Sequence, residues 1–126
     1  EAAAPQAGPR KLKVLVVDDD VLVAMNTTAM LEDLGHEAVE VHSGRQALEA
    51  LEGTNGFDLI ITDQAMPQMT GSQLASTARL KWPDLPVILA TGYAELPEDA
   101  DRTLIRLSKP FMQTDLERVL QQVAGG

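Results

Sequence analysis

The chain has 126 residues and a mass of 13.6 kDa, which is the size of a single domain. Hydrophobic residues make up 44% of it, which argues against disorder, and the absence of cysteine excludes disulfides and thiolate metal sites. The net charge of −9 and the four aromatic residues argue against direct binding of nucleic acid or anionic lipid, and no apolar run approaches the ~20 residues that span a bilayer.

Residues 1–11 are predicted to be a linker and residues 12–124 a single folded domain. Pro5, Gly8 and Pro9 interrupt the first segment, which has no apolar periodicity and lacks the apolar stretch of a signal peptide. Because the chain does not begin with methionine, we expect a segment of a longer protein; a processed whole protein or a cloning remnant would begin in the same way.

The first part of the domain predicts a strand, a helix, a strand and a helix. Lys13–Asp18 has consecutive apolar residues and predicts a strand that is buried on both faces. Val21–Leu34 predicts a helix, and Glu37–His42 alternates in polarity, as a strand nearer the edge of a sheet does. The second helix is predicted over Arg45–Leu51, with Ser43 as its cap.

Apolar spacing also predicts which helix faces are buried. Gly35 is a plausible end for the first helix, since glycine adopts the backbone conformation that stops a helix. The residues predicted to face inward on the first helix are Leu22, Met25, Ala29, Met30 and Leu34. Those on the second helix are Ala47, Leu48 and Leu51.

The next segments repeat the alternation of strand and helix. Phe57–Thr62 predicts a buried strand, and a loop over Gln64–Gly71 leads to a helix over Gln73–Trp82. Pro86–Ala90 predicts the fourth strand, and Glu95–Arg102 a short, weakly packed helix.

Leu104–Leu107 predicts the fifth strand, and the last helix is predicted to begin near Thr114, because Thr114 and Glu117 match a capping box. Its inward residues are Leu116, Val119, Leu120 and Val123. Five strands that alternate with five helices imply an α/β three-layer sandwich around a parallel sheet. In such a sheet, ligands bind beyond the carboxyl ends of the strands.

Polar groups follow four of the predicted strands. They are Asp18-Asp19-Asp20 after the first strand, Asp63 after the third, Thr91 after the fourth and Lys109 after the fifth. Each alone has a structural explanation, because an aspartate can cap a helix, a threonine can bond to the backbone and a lysine can be solvated. Capping needs one carboxylate only, however, and like charges held together need a compensating cation. The joint occurrence therefore favours a functional site.

Mg²⁺-assisted phosphoryl transfer to a carboxylate fits these groups. Mg²⁺ prefers oxygen ligands, and a transferred phosphoryl group needs its oxygens neutralised by a metal, an ammonium or a hydroxyl donor. Three carboxylates, Lys109 and one Mg²⁺ ion sum to zero formal charge, whereas the cluster without metal is negative. The sequence therefore predicts a site that favours a divalent cation.

Four motifs at these strand ends resemble the receiver domain of two-component response regulators. They are Val16-Val17-Asp18-Asp19-Asp20, Ile60-Ile61-Thr62-Asp63 with Met66-Pro67 and Gly71 after it, Ala90-Thr91-Gly92, and Lys109-Pro110-Phe111. The resemblance extends over about Lys13 to Val123, almost the whole chain. It implies a flavodoxin-like fold with a five-stranded parallel sheet in the order 2-1-3-4-5.

The resemblance implies a role for each of these residues. Asp63 would accept the phosphoryl group from a phosphohistidine of a histidine kinase or a histidine phosphotransfer domain. Mg²⁺ would be held by Asp18, Asp19, Asp63 and the backbone carbonyl of Ala65. Thr91 would bond to a phosphoryl oxygen.

The resemblance also implies that Lys109 pairs with the phosphoryl group and that the peptide bond between Lys109 and Pro110 is cis. Asp20 is better explained as the cap or first-turn charge of the following helix. The domain would not itself be an enzyme. It would be cytoplasmic, without direct contact to nucleic acid or membrane.

The chain departs from the common receiver pattern at Arg106. Many receivers place a tyrosine or phenylalanine there, three residues before the lysine, and this aromatic residue moves inward together with the threonine. Tyr93 follows Thr91 closely, as in a subset of receivers. Two interpretations stay open: Tyr93 replaces the strand-five aromatic as the switch residue, or it simply packs over its loop.

Other conspicuous side chains take structural interpretations. Met25 and Met30 are predicted to fill the core, and Trp82 to pack at a helix end. His36 and His42 have no ligand partner in register and are not predicted to bind metal or phosphoryl groups.

Two alternatives remain at this stage. A phosphohydrolase of the haloacid dehalogenase type would use Asp18 as nucleophile, and Asp18-Asp19-Asp20 fits its signature, although Val21 and Leu22 do not. A pseudo-receiver would bind partners without phosphorylation, but its acidic site should be eroded. We expect a receiver, either independent or at the C-terminus of a hybrid sensor histidine kinase, whose parent chain can carry a membrane anchor.

Overall fold

The computed structural model describes residues 11–53, 56–91, 105–109 and 111–125. The described elements are β1 (Lys13–Val17), α1 (Val21–Asp33), β2 (Glu37–Val41), α2 (Gly44–Gly53), β3 (Leu59–Asp63), α3 (Gly71–Lys81), β4 (Val87–Thr91), β5 (Ile105–Ser108) and α4 (Gln113–Gly125). All five predicted strands are present within two residues of their expected bounds. The helix predicted over Glu95–Arg102, the predicted switch residue Tyr93 and the peptide bond to Pro110 lie outside the described residues.

The five strands form one parallel sheet in the order β2-β1-β3-β4-β5. This order confirms the predicted flavodoxin-like fold. It places β2 at an edge, as its alternating sequence predicts, whereas β1, β3 and β4 are central and nearly all of their residues are buried. Because the strands are parallel, their carboxyl ends all lie at the same end of the sheet.

Helices cover both faces of this sheet. On one face, α1 and α4 pack against the strands through a cluster that includes Ala24, Leu31, Leu116 and Leu120. On the other face, α2 and α3 supply a second cluster of buried apolar residues, and Trp82 packs there at the end of α3. The inward faces predicted for α2 and α4 are confirmed: Ala47, Leu48, Leu51, Leu116, Val119, Leu120 and Val123 are buried or half-buried in these clusters. Among the helices of the described residues, none is both long and apolar enough to cross a membrane.

The predicted inward face of α1 is wrong for three of its five residues. Its buried residues are Ala24, Thr27 and Leu31, while Leu22 and Met25 are 75% and 54% exposed. Ala29 is exposed as well, and of the five predicted residues Met30 and Leu34 alone pack against the core. The face of the helix that packs on the sheet therefore carries two small residues and one leucine. Met25 therefore does not fill the core.

Three predicted helix ends are tested by the hydrogen bonds. Gly35 follows the last turn of α1 with a φ of 94°, a left-handed conformation that glycine adopts without strain. The Ser43 hydroxyl accepts the Gln46 N–H at 3.0 Å, which confirms it as a cap of α2. The capping box at Thr114 is wrong, because α4 begins at Gln113 and the Met112 N–H donates to Asp115 Oδ2 at 2.9 Å. Thr114 lies inside the first turn.

The two histidines have structural partners. His36 is buried, and its Nδ1 accepts the Leu12 N–H at 3.0 Å, next to the backbone bond from Glu37 N–H to Leu12 O. Burial lowers the pKa of His36 below its ordinary value, so the ring is neutral when it accepts this bond. His42 Nε2 lies 2.9 Å from Glu40 Oε2. Each ring therefore has a partner in the fold.

Candidate functional site

The sheet register brings the predicted site residues to one edge. Val17 pairs with Thr62, so the next residues along β1 and β3 are Asp18 and Asp63. Thr91 pairs with Ser108, and Lys109 follows directly. The four strand ends predicted from the sequence therefore converge on one site.

Lys109 joins the two buried carboxylates. Its Nζ lies 2.7 Å from Asp63 Oδ1 and 3.2 Å from Asp18 Oδ2, and its side chain is 25% exposed. Burial by itself lowers the pKa of Lys109, but the hydrogen bond and negative charge of Asp63, followed by those of Asp18, outweigh it and raise the pKa above the ordinary value. Lys109 is therefore a charged member of the site rather than a solvated surface lysine.

The three consecutive aspartates after β1 have different roles. Asp20 is the cap of α1, because its Oδ1 accepts the Leu22 and Val23 N–H groups at 3.0 and 3.3 Å. Asp18 is buried, and its Oδ1 accepts the Asp20 N–H at 2.9 Å. Asp19 is exposed at the site. Asp20 therefore caps the first amides of α1, as predicted. Asp18 and Asp19 do not cap the helix and belong to the site.

Asp18, Asp19 and Asp63 form a set that fits a hard divalent cation. Each offers a carboxylate oxygen, and these oxygens lie within 4.8 Å of one another. Lys109 offsets part of their charge, but a net negative charge remains in a partly buried place. Because Mg²⁺ takes carboxylate and carbonyl oxygens and keeps several waters, three carboxylates with an open side suit it.

Thr91 and Ala65 flank these carboxylates. Thr91 is buried at the end of β4, and its backbone carbonyl accepts the Lys109 N–H at 2.8 Å. Asp63 pairs in register with Ala90, so Thr91 is the next residue along the neighbouring strand. Ala65 is exposed in the loop two residues after Asp63. Both residues are thus close in the chain or the sheet to the predicted phosphoacceptor.

Gln64 is part of this site in a way that sequence reasoning missed. Its side chain is buried, and its Oε1 accepts the Ser72 N–H at the start of α3 at 2.7 Å. An amide residue directly after a buried strand is the signal that could have been noticed. The partner lies eight residues away and belongs to no local capping pattern, so the bond itself could not be inferred.

The exposed apolar residues of α1 lie beside the acidic cluster. Val21 is 49% exposed, and Leu22 and Met25 are more exposed still. The helix begins two residues after Asp19, so its first turn borders the site. Arg106, in the position that is often aromatic in receivers, is exposed on β5.

Comparisons with known proteins agree with this geometry. The family model described as the response regulator receiver domain matches residues 14–121. The response regulator receiver protein CpdR of Brucella abortus is 32% identical over 115 residues, which cover 88% of this chain and 95% of CpdR. The sensor kinase CckA of the same organism is 34% identical over 117 residues, which cover 87% of this chain but 12% of the kinase. The chain thus spans nearly the length of one relative and a small part of another.

Solved structures give the same result. The chemotaxis response regulator CheY4 of Vibrio cholerae superposes with a TM-score of 0.80 at 29% identity, covering 90% of this chain and 99% of CheY4. A response regulator receiver domain protein of Clostridium thermocellum superposes with a TM-score of 0.81 at 26% identity, covering 90% and 94%. These matches give no support to the phosphohydrolase alternative.

Proposed function

The chain belongs to the response regulator receiver domain family of two-component signalling, and from this premise we propose that Asp63 accepts a phosphoryl group from a phosphohistidine. The observation that carries the proposal is the pairing of a buried Asp63 with Lys109, 2.7 Å apart, beside two further carboxylates. A buried aspartate that served only the fold would not need three charged neighbours from two other strand ends.

The transfer exchanges one bond for another. A carboxylate oxygen of Asp63 attacks the phosphorus atom, a P–O bond forms, and the P–N bond breaks with its electron pair staying on the imidazole of the donor. The product is an acyl phosphate on Asp63. Lys109 keeps the Asp63 carboxyl group in place before transfer and pairs with a phosphoryl oxygen after it. The Thr91 hydroxyl donates a hydrogen bond to another phosphoryl oxygen.

Asp18, Asp19, Asp63 and the Ala65 carbonyl are the proposed ligands of Mg²⁺. When bound, the ion supplies positive charge to the phosphoryl oxygens and offsets the repulsion among the three carboxylates. Asp18 has a second task, since it shares Lys109 with Asp63 and so fixes the position of the ammonium group.

Acetyl phosphate with and without Mg²⁺ tests this function directly. We expect millimolar Mg²⁺ to permit the addition of at most one phosphoryl group per chain, measured by intact-mass spectrometry, and EDTA to prevent it. Mg²⁺ should also raise the melting temperature, because it binds the folded site and relieves charge repulsion there. Multiple turnovers on small phosphomonoesters, or equal labelling in EDTA, would contradict the proposal.

The proposed donor is a protein that carries the phosphohistidine, a histidine kinase or a histidine phosphotransfer domain. Such a donor must bring its imidazole to Asp63, and the exposed side chains of Val21, Leu22 and Met25 border that approach. We name these three residues the α1 patch. An apolar patch beside a charged site suits a protein surface better than a small metabolite.

Replacing Leu22 and Met25 of the α1 patch by glutamine should affect transfer from a protein donor but not transfer from a small phosphate donor. Glutamine keeps a good helix propensity and removes apolar surface that is worth about 1.5–3 kcal/mol per buried side chain. We expect KM for transfer from the autophosphorylated kinase core of CckA to rise about tenfold, while labelling by acetyl phosphate is unchanged.

The matched control for this experiment is Leu80→Gln. Leu80 is 85% exposed on α3, compared with 75% for Leu22, so a leucine is replaced by glutamine at an exposed position away from the α1 patch. Equal KM values for the α1 variant and the Leu80 variant would exclude the α1 patch as the donor surface.

Three further features belong to the same proposal. The receiver domain spans residues 12–124, preceded by a linker over 1–11. Its parent is a hybrid sensor histidine kinase, a proposal supported by the similarity to CckA and to the sensor protein GacS of Pseudomonas syringae, of which the match covers 14%.

Tyr93 acts as the switch residue, since Arg106 is exposed and charged and so is costly to move inward.

A further inference from the structure

Gln64, the residue after the phosphoacceptor strand, makes four hydrogen bonds, two of them to the start of α3. Its N–H donates to Ala90 O at 3.0 Å, which extends the pairing of β3 with β4 by one residue. Its carbonyl accepts the Met66 and Gly71 N–H groups at 3.0 and 3.1 Å, and its side-chain Oε1 accepts the Ser72 N–H at 2.7 Å. Gln64 itself is only 4% exposed.

These bonds satisfy the first two amides of α3 from outside the helix. The first N–H groups of a helix have no partner within it and need acceptors from elsewhere. The Gly71 and Ser72 amides both use Gln64, and the Gln73 amide uses the Thr70 hydroxyl, at 3.3 Å, within a local capping box. Gln64 thus ties the helix to the residue next to Asp63, whereas Thr70 caps it only locally.

The loop between Gln64 and Gly71 is closed by these bonds. The bond from Met66 N–H to the Gln64 carbonyl makes a three-residue turn with Ala65 at its centre. Met66 is buried below the loop, and Ala65 remains exposed above it. The direction of the Ala65 carbonyl is therefore set by a turn that begins at Gln64.

We infer that Gln64 is a positioning residue for phosphoryl acceptance, because its side chain holds the start of α3 to the loop that carries Ala65. This inference rests on the proposed function, in which the Ala65 carbonyl and Asp63 are ligands of Mg²⁺. Without the bond to Ser72, the start of α3 is held to Gln64 only by the backbone bond from the Gly71 N–H, so the turn at Ala65 is less firmly anchored. The affinity for Mg²⁺ and the rate of phosphorylation then fall together.

The test compares Gln64→Met with Gln73→Met. Both substitutions remove an amide side chain that bonds to a backbone N–H at the start of α3, since Gln73 Oε1 accepts the Thr70 N–H at 3.0 Å. Of the two, Gln64 alone is the residue that directly follows Asp63. We expect the Mg²⁺ dissociation constant, measured by calorimetry, to rise about tenfold in Gln64→Met and to change less than twofold in Gln73→Met.

Two further measurements make the outcome unambiguous. Amide exchange at Ser72, followed by NMR, should accelerate in Gln64→Met whether or not Mg²⁺ is present, which shows that the intended bond was removed. Phosphorylation by acetyl phosphate at saturating Mg²⁺ should be about tenfold slower in this variant alone. If Gln64→Met does not fold, Gln64→Asn is used instead. Its side chain is one methylene group shorter, so the amide oxygen no longer reaches the Ser72 N–H.

Two results would overturn the inference in distinguishable ways. Equal Mg²⁺ affinities and equal phosphorylation rates in the Gln64 and Gln73 variants would make Gln64 a helix cap without a positioning role. A parent protein that neither binds Mg²⁺ nor takes a phosphoryl group would overturn the proposed function itself, and the inference together with it.

Discussion

Asp63→Asn should lower phosphorylation by acetyl phosphate at least about a thousandfold, to below detection. An amide oxygen is a poor nucleophile, so it cannot form the acyl phosphate, although asparagine has almost the same shape as aspartate. The variant should remain folded, because Lys109 retains Asp18 as a partner at 3.2 Å and one of three mutually repelling charges is removed. Intact-mass spectrometry measures the labelling and circular dichroism the folding.

Two controls make the Asp63→Asn result specific. Asp84→Asn changes an exposed carboxylate that lies three residues before β4, away from the carboxyl ends of the strands. This variant should be labelled to the same extent as the parent protein. Asp18→Asn removes a proposed metal ligand but leaves the acceptor, so its labelling should recover in part as the Mg²⁺ concentration rises. Under the phosphohydrolase alternative the order is reversed, and Asp18→Asn would be the inactive variant.

The position of the label can be read independently of mutations. Borohydride reduction converts a phosphorylated aspartate to homoserine, which peptide mass spectrometry locates in the chain. We expect homoserine at position 63 in the parent protein. Reduction at position 18, or undiminished labelling of Asp63→Asn, would show that Asp63 is not the acceptor.

The convergence of the site could be predicted because it depends on simple features of the sequence. Buried parallel strands are runs of consecutive apolar residues, and the first polar residue after each run marks its carboxyl end. Asp18, Asp63, Thr91 and Lys109 are therefore recognisable as strand-end residues before any contact is known. Their roles in phosphoryl transfer come from the resemblance to receivers rather than from spacing.

The face of α1 could not be predicted in the same way. Its sequence from Val21 to Leu34 has apolar residues on nearly all sides, so several helix phases fit the spacing equally well. The structure buries the side with Ala24, Thr27 and Leu31, so small residues pack on the sheet while larger apolar side chains face outward. The side chains left exposed are the ones now proposed to meet the donor.

Helix α3 begins two residues earlier than the apolar pattern of the sequence predicts. A helix over Gln73–Trp82 follows from the apolar pattern, but the observed helix begins at Gly71 because Gln64 and Thr70 supply acceptors for its first amides. One of these acceptors comes from beyond the local sequence. Long-range hydrogen bonds of this kind are invisible to propensity and periodicity, and here one of them lies beside the phosphoacceptor.

At Gly71, α3 lies close against the backbone of Asp63. A Cβ atom at this position would collide with the carbonyl oxygen of Asp63 and would lie 2.6 Å from Leu89 Cδ1. The carbonyl belongs to β3 and cannot move without disturbing the strand. Glycine is therefore needed here for space, since the left-handed backbone conformation is not used.

Gly71→Ala should destabilise the domain by about 1–3 kcal/mol, the usual cost of overpacking a well-packed site. Its melting temperature should fall by several degrees, and the displaced Asp63 backbone should also slow labelling by acetyl phosphate. The matched control is Gly53→Ala at the end of α2, where an added Cβ meets nothing within 4 Å. Because alanine favours a helix over glycine by up to ~1 kcal/mol, this variant should melt at the same temperature as the parent or higher. If both variants lose stability equally, close packing of α3 on Asp63 is not what requires glycine at position 71.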